Sequence, residues 1–240
     1  METRCPFLDC HHVFAIPADA QRVVDCHACL RSFSHRPLEA WTFIEGLAQK
    51  RIEKGLDKSA LDANDHDANS MVCLLEDVRS LWNVGSIFRS ADGAGFSKLL
   101  LCGITGSPPR KEIAKTSLGA EDSVPWQCYT HSLAVLTQLK AKGFMIVGLE
   151  RCEGSTLLSD AITGGIIKRP LCLVVGNEVT GISQETLSMC DRICHLPMRG
   201  IKESLNVAVA FGIAAYLVSD GVRDKQQPIL SHLSVETVRP

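Results

Sequence analysis

From residue 71 onward, short apolar runs alternate with stretches whose apolar residues recur every three to four positions. The runs Met71–Leu75, Lys98–Cys102, Trp126–Tyr129, Met145–Leu149, Leu171–Val175 and Arg192–Leu196 predict strands. Helical spacing between and after them predicts helices over Asn83–Ala94, Lys111–Leu118, Leu133–Lys142, Ser183–Cys190 and Glu203–Ser219. Strands separated by helices imply an α/β domain with a mostly parallel sheet. Upstream, Leu38, Trp41, Ile44, Leu47 and Ala48 predict a helix within Pro37–Leu56, and Asp57–Ser70 is a polar linker. The chain thus divides into a small module (1–36), a helix and polar linker (37–70), the α/β domain (71–222) and a polar tail (223–240), with no internal repeat.

Composition adds limits. In 240 residues, 45% are hydrophobic and 22% charged, which is ordinary for a globular protein. A net charge of −2 argues against holding a polyanion by bulk charge alone, although local basic clusters can still bind phosphate. The longest apolar run, Val207–Val218, is shorter than the roughly 20 residues a bilayer span needs, and Met1–Cys10 carries no secretory signal. A soluble, cytoplasmic protein without a membrane partner is expected.

The 11 cysteines fall into two groups, and an odd total fits a disulfide framework badly. Those inside apolar strands, such as Cys73 and Cys172, are read as small buried hydrophobes. Residues 1–36 hold too few long apolar side chains to build a core unaided. There Cys5-x4-Cys10 and Cys26-x2-Cys29 form two close pairs, as a tetrahedral zinc ion requires. The module is expected to be ribbon-like, with structural zinc replacing the missing core. His11, His12 and His27 adjoin the cysteines, so the ligand set stays open; catalytic zinc is disfavoured because four-cysteine sites are usually closed.

Polar residues collect where the predicted strands end, which is where open α/β sheets bind ligands. The first cluster runs from Asn83 through Gly85 to Arg89, and the second is Gly176-Asn177-Glu178-Val-Thr-Gly181. The third, Leu196-Pro-Met198-Arg199-Gly200-Ile-Lys202-Glu203-Ser204-Leu205-Asn206, leads into the longest apolar run. A helix entrance of this kind presents free backbone N–H groups and a positive dipole end to a ligand.

In this order and spacing, the three clusters resemble the motifs of the SPOUT superfamily, and more closely its TrmH/SpoU branch of RNA 2′-O-ribose methyltransferases. The resemblance covers about residues 70–220 and includes Lys115-Thr-Ser-Leu-Gly-Ala-Glu121; one departure is Ala208, where many relatives carry Ser. It implies a deep C-terminal trefoil knot, S-adenosylmethionine as cofactor, and a homodimer with the active site at the subunit interface. It also implies a cofactor pocket from Gly176, Asn177, Gly181, Leu196, Met198, Gly200, Ser204 and Leu205. Catalytic roles would fall to Arg89, Asn83, Glu178, Ser204 and Asn206, with Arg89 stabilising the developing alkoxide. Arg110, Lys111, Lys115, Arg199 and Lys202 are candidate phosphate contacts.

The expected activity is methylation of a ribose 2′-hydroxyl, with transfer RNA favoured as substrate over ribosomal RNA and no DNA partner. The rivals are a non-catalytic RNA-binding protein that keeps the fold and a small-molecule nucleotide enzyme. The joint presence of Asn83, Arg89, Glu178, Ser204 and Asn206 opposes the first. The second lacks both a Gly-x-Gly-x2-Gly turn and a phosphate-loop Lys.

Overall fold

A computed structural model describes residues 1–7, 9–56, 61 and 68–222; most of the expected linker and the expected tail lie outside them. Two antiparallel hairpins open the chain, β1 (Glu2–Arg4) with β2 (Val13–Ala15) and β3 (Val23–Asp25) with β4 (Ser32–Ser34). Each strand is only three residues long. Their shared core is small: Phe7, Phe14, Ile16 and Phe33 pack with Cys5, Cys26 and Leu133.

Helix α1 (Leu38–Glu53) starts after Pro37, whose restricted φ suits a helix entrance. It buries Trp41, Ile44, Ala48 and Arg51 on one stripe. A buried Arg must be hydrogen-bonded; Arg51 donates to the Gly103 carbonyl at 2.7 Å and to the Thr105 carbonyl.

The main domain begins with β5 (Met71–Glu76), α2 (Leu81–Ala94) and β6 (Lys98–Cys102). Next come α3 (Lys111–Ser117), α4 (Ala120–Ser123), β7 (Trp126–Tyr129), α5 (Ser132–Ala141), β8 (Met145–Leu149), β9 (Thr156–Leu157) and α6 (Leu158–Thr163). The last elements are β10 (Leu171–Val175), α7 (Gln184–Met189), β11 (Arg192–His195) and α8 (Val207–Gly221). The seven strands form one sheet in the order β7-β6-β5-β10-β8-β11-β9, with every pairing parallel.

Side chains alternate across the pleat, so each central strand feeds two cores. Met71, Cys73 and Leu75 face a layer containing Ile87 and Phe88 of α2 and Phe211 and Ala214 of α8. Val72 and Leu74 face α5, through Val135, Leu136 and Leu139. Both faces are covered, as a parallel sheet requires. The cysteines of the strands are buried, and burial pushes the nearby Cys190 thiol up to about 12.

The final helix begins at Val207 rather than at the expected Glu203. Its cap explains the difference: Asn206 Oδ1 accepts from the Ala208 and Val209 N–H groups at 3.0 and 3.3 Å. Capping by this side chain stops the helix there and leaves residues 203–206 free to line a cavity. Among the described residues, no helix is long and apolar enough to cross a membrane.

Candidate functional site

In the N-terminal module, each cysteine pair sits in the turn of one hairpin, and each turn has a residue with positive φ, His11 and Leu30. The four Sγ atoms lie within 4.8 Å of one another. Cys5 and Cys29 are 3.7 Å apart, and Cys10 and Cys26 are 3.6 Å apart. Four thiolates about 2.3 Å from a zinc ion define a tetrahedron with edges of about 3.8 Å, so the cage fits that ion. Cys26 Sγ also accepts from the Ala28 and Cys29 N–H groups. Burial opposes ionisation of Cys29, but Arg31, with Nε 3.4 Å from Sγ, outweighs it and lowers the thiol to about 6. The histidines do different work. Among the described residues none joins the cage, while His12 and His27 pack against the Phe14 ring.

The second site is built at the carboxyl ends of β5, β8, β10 and β11. After β10, Gly176 leads into a closed loop in which Asn177 and Gly181 exchange backbone hydrogen bonds of 3.1 and 2.8 Å. A Cβ on Gly176 would lie 2.3 Å from the Gly181 carbonyl carbon, so the loop closes only around glycine. Asn177 Oδ1 accepts from the Val179 and Thr180 N–H groups, while its Nδ2 donates to the Asp77 carbonyl at 2.8 Å.

This loop delivers Glu178 to the start of α2. There its carboxylate accepts from Arg79 N at 3.0 Å, Ser80 N at 2.9 Å and Asn83 Nδ2 at 2.9 Å. Burial raises its pKa, but these three donors prevail and hold the group below the usual carboxylate range. Asn83 Oδ1 in turn accepts from Asn206 Nδ2 at 3.1 Å, and Asn206 caps α8. A single hydrogen-bonded chain, Glu178–Asn83–Asn206, therefore ties together loops 95 and 123 positions apart in sequence.

Beside that chain opens a cavity of about 470 Å³, within the roughly 300–1,000 Å³ of pockets for drug-sized ligands. Gly176, Asn177, Glu178 and Gly181 form one wall, and Leu196, Met198, Ser204, Leu205 and Asn206 form another. Asn83 does not line the cavity but reaches it through Glu178 and Asn206. Gly200 lies outside, with open space around it.

Arg89 also lies outside the wall. Six residues rotate it about 120° around α2 from Asn83, and it is exposed without a hydrogen bond or ion pair among the described residues. Arg110, Lys111, Arg199 and Lys202 are exposed too. Lys115 lies with its ammonium 5.4 Å above the half-exposed Trp82 ring, next to Asn83.

Leu149 at the end of β8, Glu150 and Arg151 after it, His195 at the end of β11, and Glu203 also line the cavity. Sequence reasoning had placed Glu203 in the third cluster but passed over the others, although the strand-end rule pointed at β8 and β11 as much as at β10. Glu150 Oε2 accepts from Ile182 N at 2.8 Å and so braces the glycine loop. His195 Nδ1 is 2.9 Å from Ser155 Oγ.

The profile of the SpoU rRNA Methylase family matches residues 70–216. Over 162 residues the chain is 29% identical to the 23S rRNA (guanosine-2′-O-)-methyltransferase RlmB of Vibrio vulnificus, covering 65% of this chain and 64% of that protein. The chain thus spans just under two thirds of that relative's length. The AdoMet-bound rRNA methyltransferase from Sinorhizobium meliloti superposes with a TM-score of 0.60 at 26% identity, over 66% of this chain and 59% of that one. The A. aeolicus TrmH/SpoU tRNA modifying enzyme gives 0.57 at 25% identity, over 75% and 84%.

Proposed function

The chain belongs to the SpoU rRNA Methylase family, and from that membership we propose that it methylates a ribose 2′-hydroxyl of RNA using S-adenosylmethionine. One observation carries the proposal: the Glu178–Asn83–Asn206 chain stands at the rim of a cavity whose walls suit an adenosine. Leu196, Met198 and Leu205 offer apolar surface, and the glycine loop offers backbone edges, which an uncharged base needs. When bound, the cofactor supplies an electrophilic methyl group on sulfur. The protein's part is to hold the ribose oxygen in line with it, which can provide much of the acceleration.

Glu178 is held as an anion by two backbone N–H groups, so it fixes the start of α2 and orients the Asn83 amide. Arg89 acts by stabilising the alkoxide that develops on the ribose, rather than as a base. Ser204 and Asn206 present hydrogen-bonding groups at the rim. Methyl transfer from labelled cofactor to RNA tests this reading. Arg89→Ala should lower the rate by about 10²–10³-fold and leave cofactor affinity unchanged. Full cofactor binding without incorporation into any RNA pool would favour the rival, an RNA-binding protein that has kept the fold.

Ribosomal RNA, named for the Vibrio and Sinorhizobium relatives, and transfer RNA, named for the A. aeolicus one, are the substrates to compare. The proposal includes a homodimer through α8. This helix exposes Val209, Ile213, Tyr216 and Leu217 at i, i+4, i+7 and i+8, a single apolar stripe. Tyr216 of the stripe packs at Gly93, one turn along α2 from Arg89 and on the same face, so a second copy on the stripe would approach that Arg. Sedimentation of Ile213→Lys should show a monomer; an unchanged mass would exclude this face. The C-terminal knot is part of the same proposal.

A further inference from the structure

We propose that the cleft between the N-terminal module and the main domain takes one base of the RNA strand, from a nucleotide flanking the methylated one. This deepens the methyltransferase reading and rests on it. The cleft has a volume of about 270 Å³, enough for a single base and below the range of drug-sized pockets. It lies across the Asn177–Gly181 loop from the cofactor cavity, and Asn177 and Gly181 line both spaces. A strand entering the cofactor side therefore meets the cleft as the next concavity.

Its walls carry three features that suit a nucleotide. Phe43 of α1 lines it and is 65% exposed, although a ring of that size is ordinarily buried. Such an open ring is a stacking platform. Arg22 also lines it, exposed and without an ion pair among the described residues, and so is available to a phosphate. His35, a third lining residue, has a buried Nδ1 with no hydrogen-bond partner among the described residues.

Charge fixes the orientation of the strand. Glu76 and Asp77 lie on the inner wall, so a phosphate is excluded there. Asp77 is paired with Arg36 at 2.7 Å, and Glu76 accepts from Ser183 and Thr186. The acidic inner wall keeps the backbone outside, at Arg22, and the preference for a purine over uracil comes from its stronger stacking on Phe43.

The test uses the full chain, with anisotropy of fluorescein-labelled single-stranded oligoadenylate and oligouridylate. Oligoadenylate should bind more tightly. Phe43→Ala should weaken binding roughly ten-fold, and Phe43→Trp should restore it. Arg22→Ala should reduce the slope of log affinity against log salt by about 0.7. KM for RNA should rise with the loss of affinity in Phe43→Ala, while kcat and cofactor affinity stay at wild-type values. Wild-type oligonucleotide affinity in both Phe43→Ala and Arg22→Ala would overturn the proposal. Failure of the methyltransferase reading looks different: the wild type would neither bind cofactor nor incorporate methyl groups, and anisotropy would still decide the cleft.

Discussion

Asn206 has two separable jobs, and substitutions can part them. Its Oδ1 caps α8 through the Ala208 and Val209 N–H groups, and its Nδ2 donates to Asn83 at 3.1 Å. Losing an Asn cap costs about 1 kcal/mol, and losing a neutral hydrogen bond costs about 1 kcal/mol more. Asn206→Ala should therefore lower stability by about 2 kcal/mol. Asn206→Asp keeps a good cap but has no donor, so it should lose only about half as much. In a double-mutant cycle, Asn83→Ala with Asn206→Ala should show a coupling of about 0.5–1 kcal/mol, because both remove the same bond. Urea unfolding followed by circular dichroism would measure this, with constant m-values as the check on each variant. If Asn206→Asp falls as far as Asn206→Ala, the cap is not what is lost. If the two alanine variants add within about 0.3 kcal/mol, the first and third motifs are energetically independent and the central claim fails.

Other outcomes follow from the same geometry. The folded pKa of Glu178 is depressed, so its contribution to stability is full above the unfolded value of about 4.3 and lost as pH falls through the lower folded value. Glu178→Gln should then lose less stability than the wild type on acidification from about pH 5 to pH 3, and parallel pH curves would refute the assignment. Purified protein should carry one zinc per N-terminal module, by elemental analysis. Cys26→Ser should release the metal and the amide protection of β1–β4 but keep that of the sheet; full protection without metal would sink the zinc reading. Gly176→Ala forces a Cβ to 2.3 Å from Gly181, so it should cost about 1–3 kcal/mol and abolish cofactor binding by calorimetry.

Much of the fold was legible because its strands are buried on both faces and therefore appear as uninterrupted apolar runs. The observed β5, β6, β7, β8, β10 and β11 agree with the predicted strands to within one residue at each end. The two-residue β9 and the short helices α4 and α6 are too brief to show a period. The start of α8 was misjudged because Glu203, Ser204 and Leu205 do not oppose a helix locally; a side chain at Asn206 decides it.

At the site, the motif residues marked the cavity, but nothing local distinguishes Glu150 or His195 from other polar residues near strand ends. Their role appears only once β8 and β11 lie side by side. The docking of the N-terminal module was equally hidden. It rests on Ser34 N donating to Glu185 Oε2 at 2.9 Å, on Gln184 N donating to Ser34 Oγ at 3.0 Å, and on the Arg36–Asp77 pair. No sequence window contains both partners of such contacts.

The walls of the cofactor cavity are drawn from Leu149 through Ala210, and its rim reaches back to Asn83. Because the lining ends at Ala210, inside α8, a growing chain has no complete cavity until that helix has left the ribosome. Once the last wall closes, a small molecule becomes a clasp among the loops that follow β8, β10 and β11. At a hundred times its dissociation constant it would deepen the native well by about 2.7 kcal/mol. On the proposed function, a cell short of methyl donor would lose this protein to proteolysis as well as methylation rate, and pulse proteolysis with and without saturating S-adenosylmethionine would show it.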